Sequence, residues 1–130
     1  MTPDTLLLRQ IHPSFVQDGR VTSQAFRPTP KDEFHLSVDN GGRLTAEAAW
    51  RRFTADPACT SAGVQAVSQS DCAAHALPVI EDGRPNPEHC SIDFSAFEKK
   101  AIEKKAIEKK AKLLRAAAAT RGWLFTEAAA

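Results

Sequence analysis

The chain has 130 residues, 42% of them hydrophobic and 25% charged, which suits one globular domain with a modest core and excludes a disordered or fibrous chain. Seventeen Lys and Arg against sixteen Asp and Glu leave a formal net charge of +1, so no whole-molecule field steers it toward nucleic acid or anionic lipid. No run approaches the roughly 18 apolar residues of a membrane span, and the opening segment Met1–Arg9 has neither the basic region nor the apolar stretch of a signal peptide.

Leu6 to Ile11 is short and apolar, and periodicity leaves it open between a strand and a helical turn. His12-Pro13 ends it, because a residue before proline is pushed out of the helical region. Val21 to Phe26 reads as a strand, followed by an extended loop set by Pro28 and Pro30. Phe34 to Val38 is a second strand candidate, closed by the turn signal Asp39-Asn40-Gly41-Gly42. Thr45 can cap a helix beginning at Ala46, with Glu47 in its first turn and Trp50 and Phe53 on a face that can dock on a sheet. Asp56-Pro57 ends that helix.

Gly63 to Val67 alternates as a short strand, and Ser68 to Asp71 has the spacing of a capping box opening a short helix to about Ala76. Leu77 to Ile80 and Ser91 to Phe94 are further strand candidates, separated by a loop over residues 81–88. Residues 96–121 read as one long helix, capped by Ser95 with Glu98 at its start and by Gly122 at its end. Trp123, Leu124 and Phe125 can fold back onto the domain. The expectation is therefore an α+β protein, with a small mixed or antiparallel sheet, two short helices and one long C-terminal helix. A single domain spans 1–125, and 126–130 reads as a frayed tail.

The long helix contains a duplication: Ala-Ile-Glu-Lys-Lys at 101–105 recurs unchanged at 106–110. Five residues advance a helix by about 500°, so Ile102 and Ile107 stand roughly 140° apart on the cylinder. Leu113 falls near Ile102 and Leu114 near Ile107, which implies two weak apolar faces and a largely exposed middle. Each Glu of the repeat follows a Lys at three or four residues, the less favourable order for a helical ion pair. The segment reads as a solvated spacer, or as a helix whose two faces contact two different surfaces.

Several residues could carry chemistry. Cys72 and His75, three apart on a predicted helix, together with His89 and Cys90 could supply a Cys₂His₂ set for zinc. That spacing matches no standard finger, so small buried thiols are the better reading and no metal or cofactor is expected. An odd number of cysteines (Cys59, Cys72, Cys90) points to reduced thiols in a cytoplasmic protein. His12 and His89 sit beside proline-containing loops at element ends and could form a catalytic pair, with Ser23 or Ser37 as a hydroxyl. Arg27, Lys31, Arg51 and Arg52 could form an anion-binding edge. No phosphate-binding glycine loop, paired metal-binding histidine motif or G-x-S-x-G elbow is present.

The landmarks Ile11-His12-Pro13-Ser14-Phe15, Ser23-Gln24-Ala25-Phe26-Arg27-Pro28, Leu36-Ser37-Val38, Pro87-Glu88-His89-Cys90 and Arg121-Gly122-Trp123 follow a recognisable order. In these the chain resembles a group of small bacterial proteins with no established activity, over most of its length except the repeated block, which looks like an insertion. The resemblance implies a bacterial cytosolic setting and transfers no catalytic residue.

Two functions follow as expectations. The first is a non-enzymatic interaction or accessory module of a bacterial system, contacting another protein through the long helix with Ile102 and Ile107 as partner-binding anchors. The second is a small enzyme on a phosphodiester or nucleotide, with His12 and His89 as catalytic acid–base groups and Arg27 binding the anion. A membrane partner is not expected. Nucleic acid is disfavoured because Glu98, Glu103 and Glu108 interrupt the basic surface of the helix.

Overall fold

In the computed structural model, which describes residues 1–97 and 101–129 but not the side chains of 101–104 and 129, Leu6 to Ile11 resolves as a strand. It is β1 (Leu6–Ile11), and it runs antiparallel to β5 (Gly63–Ser68) along its whole length, from Leu6 opposite Ser68 to Ile11 opposite Gly63. Its other neighbour, β4 (His35–Asn40), pairs with it only at Leu7–Asn40 and Leu8–Asp39. Beyond Leu8 the two strands part. Adding β6 (Val79–Ile80), β7 (His89–Asp93) and β8 (Phe125–Thr126) gives one antiparallel six-stranded sheet in the order β6-β7-β4-β1-β5-β8. A separate hairpin joins β2 (Val16–Gln17) to β3 (Arg20–Val21).

Three α-helices among the described residues complete the α+β architecture: α1 (Ala46–Thr54), α2 (Gln69–Ala74) and α3 (Ala101–Arg121). Each short helix starts where its cap places it. The Thr45 hydroxyl accepts from the Ala48 amide, and Ser68 and Asp71 close a reciprocal capping box. Gly122 takes φ +76° after α3 and donates its amide to the Ala118 carbonyl, a left-handed stop that glycine adopts without a Cβ penalty.

The two faces of the sheet differ. Leu7, Ile11, Leu36, Val38, Val67, Cys90 and Ile92 project to the face covered by α3, where they form the main core with Phe26, Phe94, Ile107 and Leu114. On the opposite face α1 covers β1, β5 and β8, burying Leu8, Val64, Ala66 and Ala49. Because both faces are covered there, all six residues of β5 are buried. At Gly63 a Cβ would overlap the Phe125 carbonyl oxygen and lie 2.9 Å from the Trp123 ring, so the docking of β8 requires glycine.

Several expectations are corrected. Val21 to Phe26 is not a strand. Only Arg20–Val21 is extended, and Ser23–Phe26 forms a 3-10 turn that buries Ala25 and Phe26 against α3. A turn suits these residues because it sends two successive side chains inward, which an alternating strand cannot. Residues 95–97 form a 3-10 turn and not the first turn of an α-helix, while 98–100, including the Glu98 of the expected cap, lie outside the described residues. The tail does not fray at 126: Thr126 pairs with Gly63, and the Glu127 amide donates to Ala62.

The largest correction concerns α3. Ile107, Ala111, Leu114 and Ala118 are all buried, a single stripe at spacings of four, three and four. Large apolar side chains alone trace two faces on this helix. Two alanines complete the stripe by letting the helix backbone lie close to its neighbours. Ile107, at 3% exposure, is therefore core and not an anchor open to a partner. The Ile102 side chain lies outside the described residues.

Candidate functional site

Since α1 covers only part of its face, the β4 and β7 side of the sheet remains open. Strand parity fills that opening with polar groups. Gln10 follows Leu8 on this face of β1 and His12 comes just past its end, Ser37 and Asp39 stand on β4, and His89 and Ser91 on β7. Register sets Asp39 directly opposite His89. A cleft of about 550 Å³ results, with β1, β4 and β7 as floor, Ala49, Arg52 and Phe53 of α1 as one wall, and Asp56, residues 58–60 and residues 85–86 completing the lining.

Both candidate histidines line this cleft. The His12 side chain caps the 3-10 turn Pro13–Phe15, its Nδ1 accepting from the Ser14 amide at 3.1 Å, and its ring lies edge-on to Phe15 at 6.1 Å. That contact places the hydrogen on Nε2 when the imidazole is neutral. His89 is held from behind: Nδ1 meets Asp82 Oδ1 at 2.5 Å, and the Ser91 hydroxyl donates to Asp82 Oδ2 at 2.6 Å. Burial pushes the Asp82 carboxyl up, but the Ser91 and His89 bonds outweigh it and hold the group below its usual range. An ionised Asp82 fixes the tautomer of His89, leaving Nε2 as the free nitrogen.

The remaining groups set the electrostatics. Arg52 donates to Glu88 at 2.9 Å and to Asp39 at 3.3 Å. Burial raises the Asp39 carboxyl, and the nearby Arg52 and His89 offset this only in part. Arg9 occupies the gap where β1 and β4 part. Its Nε donates to the Ala25 carbonyl at 2.8 Å, and its Nη1 to the Ser37 carbonyl at 3.0 Å, an acceptor that faces β1 without a ladder partner. Desolvation lowers this guanidinium to about 10, so it is still charged at neutral pH. Cys59 also lines the cleft, but burial and Asp56 push its thiol up, which makes it a poor nucleophile.

The other predicted residues fall elsewhere. Arg27 pairs with Glu108 of α3 at 3.2 Å and does not line the cleft, so the guanidinium groups at the cleft are Arg9 and Arg52. Phe53 does not dock on the sheet. Its ring stays 37% exposed and lines the cleft wall, while Trp50 makes the helix–sheet contact and donates its indole N–H to Ser61. Cys72 and Cys90 sit in the core with thiols pushed by burial to about 12 and about 11. Cys90 faces the core while its neighbour His89 faces the cleft, so the proposed zinc set does not assemble. Among the described residues no group of three His, Cys, Asp or Glu side chains is placed to hold a metal ion. No helix among them is long and apolar enough to cross a membrane.

Sequence reasoning did not single out Gln10, Asp39 or Asp82. Gln10 was within reach, two residues before His12 on the same strand parity. Asp82 was not, because its place behind His89 depends on how the 81–88 loop returns, with the Gly83 amide bonded to the His89 carbonyl.

The fold and cleft define an α+β domain closed on one sheet face by a long helix and open on the other at a histidine–carboxylate site. Comparison with known proteins finds no family model, no curated protein and no solved structure that matches the chain.

Proposed function

We propose that the protein is a small enzyme that cleaves a phosphodiester by general acid–base catalysis with His12 and His89. One observation carries the reading: two histidines far apart in sequence line the same cleft, and one of them is oriented by the carboxylate of Asp82, which Ser91 also holds. In such a cleavage one neutral imidazole takes the proton of the attacking hydroxyl, and the other, protonated, returns one to the leaving oxygen. The Asp82 carboxylate supports whichever charge state His89 passes through, and Arg9 and Arg52 are the cations close to a developing negative charge.

Charge narrows the substrate. The two guanidinium groups lining the cleft are matched by Asp39 and Asp56 on the same lining. A phosphodiester with one negative charge suits that balance better than a phosphomonoester carrying nearly two. The volume, about 550 Å³, is in the range that encloses a ligand of mononucleotide size. The rival reading, protein contact through α3, has less support because the Ile107 stripe is spent on the core of the chain itself.

The test is hydrolysis of dinucleoside monophosphates and 2′,3′-cyclic nucleotides by the wild-type chain, His12→Ala and His89→Ala. Each substitution is expected to lower kcat by about 10²–10⁴-fold in a protein that keeps its circular dichroism spectrum. Turnover unaffected by either substitution, or no turnover on any of these diesters, would sink the reading.

A further inference from the structure

The two guanidinium groups that line the cleft are not equivalent. Arg52 reaches from α1 to two carboxylates, Glu88 at 2.9 Å and Asp39 at 3.3 Å. Its bond to Glu88 is the largest influence holding that carboxyl below its usual range, so the partner is ionised at neutral pH and the charge of Arg52 is met. Arg52 thus stands as a strut between α1 and the sheet. Arg9 has no such match. Its hydrogen bonds go to two neutral carbonyls, those of Ala25 and Ser37. Asp32, whose charge it feels, accepts from the Thr29 hydroxyl instead. Desolvation brings Arg9 down to about 10, which leaves it charged at neutral pH. A cation drawn out of water without a carboxylate beside it is costly to keep.

A guanidinium carries five N–H donors, and the two carbonyls take one from Nε and one from Nη1. Nη2 makes no hydrogen bond to the described residues. It is not shut in either, because the buried side-chain atoms left without a partner among those residues belong to Gln10, Gln65 and Gln69. Nη2 therefore keeps contact with solvent, on a residue that lines the cleft. The sheet supplies a second observation. In the order β7-β4-β1, His89 stands on β7, the Arg9 guanidinium spans the gap between β4 and β1, and His12 comes just past the end of β1. In sheet order the guanidinium falls between the two histidines.

We infer that Arg9 is the anion anchor of the cleft, binding through Nη2 one singly charged phosphoryl group of the ligand, while Arg52 serves to hold α1 to the sheet. The carbonyls fix the guanidinium at two of its nitrogens, and the N–H groups left over match the unesterified oxygens of a phosphodiester. One unmatched cation balances one negative charge, which a diester carries and a monoester exceeds. The ligand class rests on the phosphodiester reading above, but the inference concerns binding and requires no turnover.

The experiment is a titration of the full chain with a deoxydinucleoside monophosphate, which lacks the attacking 2′-hydroxyl, and with its methylphosphonate, in which a methyl group replaces the charged oxygen. Wild type is expected to bind the charged form about tenfold or more tightly than the neutral one, with a preference that shrinks as salt is raised. Arg9→Met keeps most of the stem and removes the cation, and should bring the preference to within about twofold of unity by weakening the charged form alone. Arg9→Lys should restore part of it. Arg9→Gln, uncharged but still able to donate to a carbonyl, should not, and serves as the second uncharged variant. Arg52→Met should lose less of the preference than Arg9→Met. Circular dichroism and the urea midpoint report the folded state of each. A plug that merely closes the strand gap would weaken charged and neutral forms alike, and that result overturns the inference. So does equal binding of the two forms by wild type, binding of neither by the folded chain, or a loss in Arg52→Met as large as that in Arg9→Met. A preference carried by Arg9 without cleavage of any diester leaves this inference standing and removes the catalytic one; catalysis lost with His12 and His89 beside a preference blind to Arg9 does the reverse.

Discussion

Replacing Ile107 by alanine tests the central packing result, because the two views of α3 differ in sign. Ile107 is 3% exposed and stands in one stripe with Ala111, Leu114 and Ala118. Truncation there removes buried carbon atoms and leaves a cavity that two neighbouring alanines are too small to fill, at a cost of about 3 kcal/mol. For a domain of this size that is a fall of roughly 10 °C in Tm. Were Ile107 on a solvated face, the same change would stay within about 0.5 kcal/mol, and alanine's better helix propensity would tend to raise stability. Urea unfolding followed by far-UV circular dichroism measures the difference, with an unchanged m-value showing that the unfolded state is not the source. Lys109→Ala, at an exposed position two residues on, is the control and should be near neutral. A loss below about 0.5 kcal/mol at Ile107 refutes the single-stripe packing.

Other expectations follow from particular contacts. Asp82→Asn keeps the shape of the group behind His89 but removes its charge, so diester turnover should fall by about 10²-fold or more with little change in stability; unaltered kcat would show that Asp82 does not orient the base. Asp71 closes the capping box with Ser68 and accepts from Arg121 at 2.8 Å. Burial raises its carboxyl, but these bonds prevail and hold it below the ordinary 3.8. Its stabilisation is therefore fully present at neutral pH and is lost as pH falls through the depressed value. Accordingly Asp71→Asn should destabilise at pH 7, with a gap to wild type that closes below about pH 4; a gap constant with pH refutes this. In the native protein a thiol reagent should modify Cys59 first, and Cys72 and Cys90 only on unfolding, since both are core thiols raised by burial. Equal reaction of all three in the folded state counts against the core assignment.

By itself the sequence determined features whose causes act within a few residues. Thr45 starts α1, Ser68 with Asp71 starts α2, and Gly122 stops α3, because a cap satisfies backbone groups one turn away whatever packs nearby. The α+β class was legible for the same reason. The register of β1 was not, since a six-residue apolar run becomes a strand only when β5 supplies its hydrogen-bond partners. Residues 23–26 likewise turned rather than extended because α3 offers a surface that takes Ala25 and Phe26 together. Which face of α3 is buried depended on the close approach its alanines permit, a property of the pair of surfaces and not of the helix. The cleft belongs wholly to tertiary structure. His12 and His89 were legible as candidates, yet they line one cleft only because β4 lies between β1 and β7 and α1 leaves that face uncovered. The same parting of β1 from β4 leaves Gln10 unpaired, and no local signal in the chain encodes where two strands stop pairing.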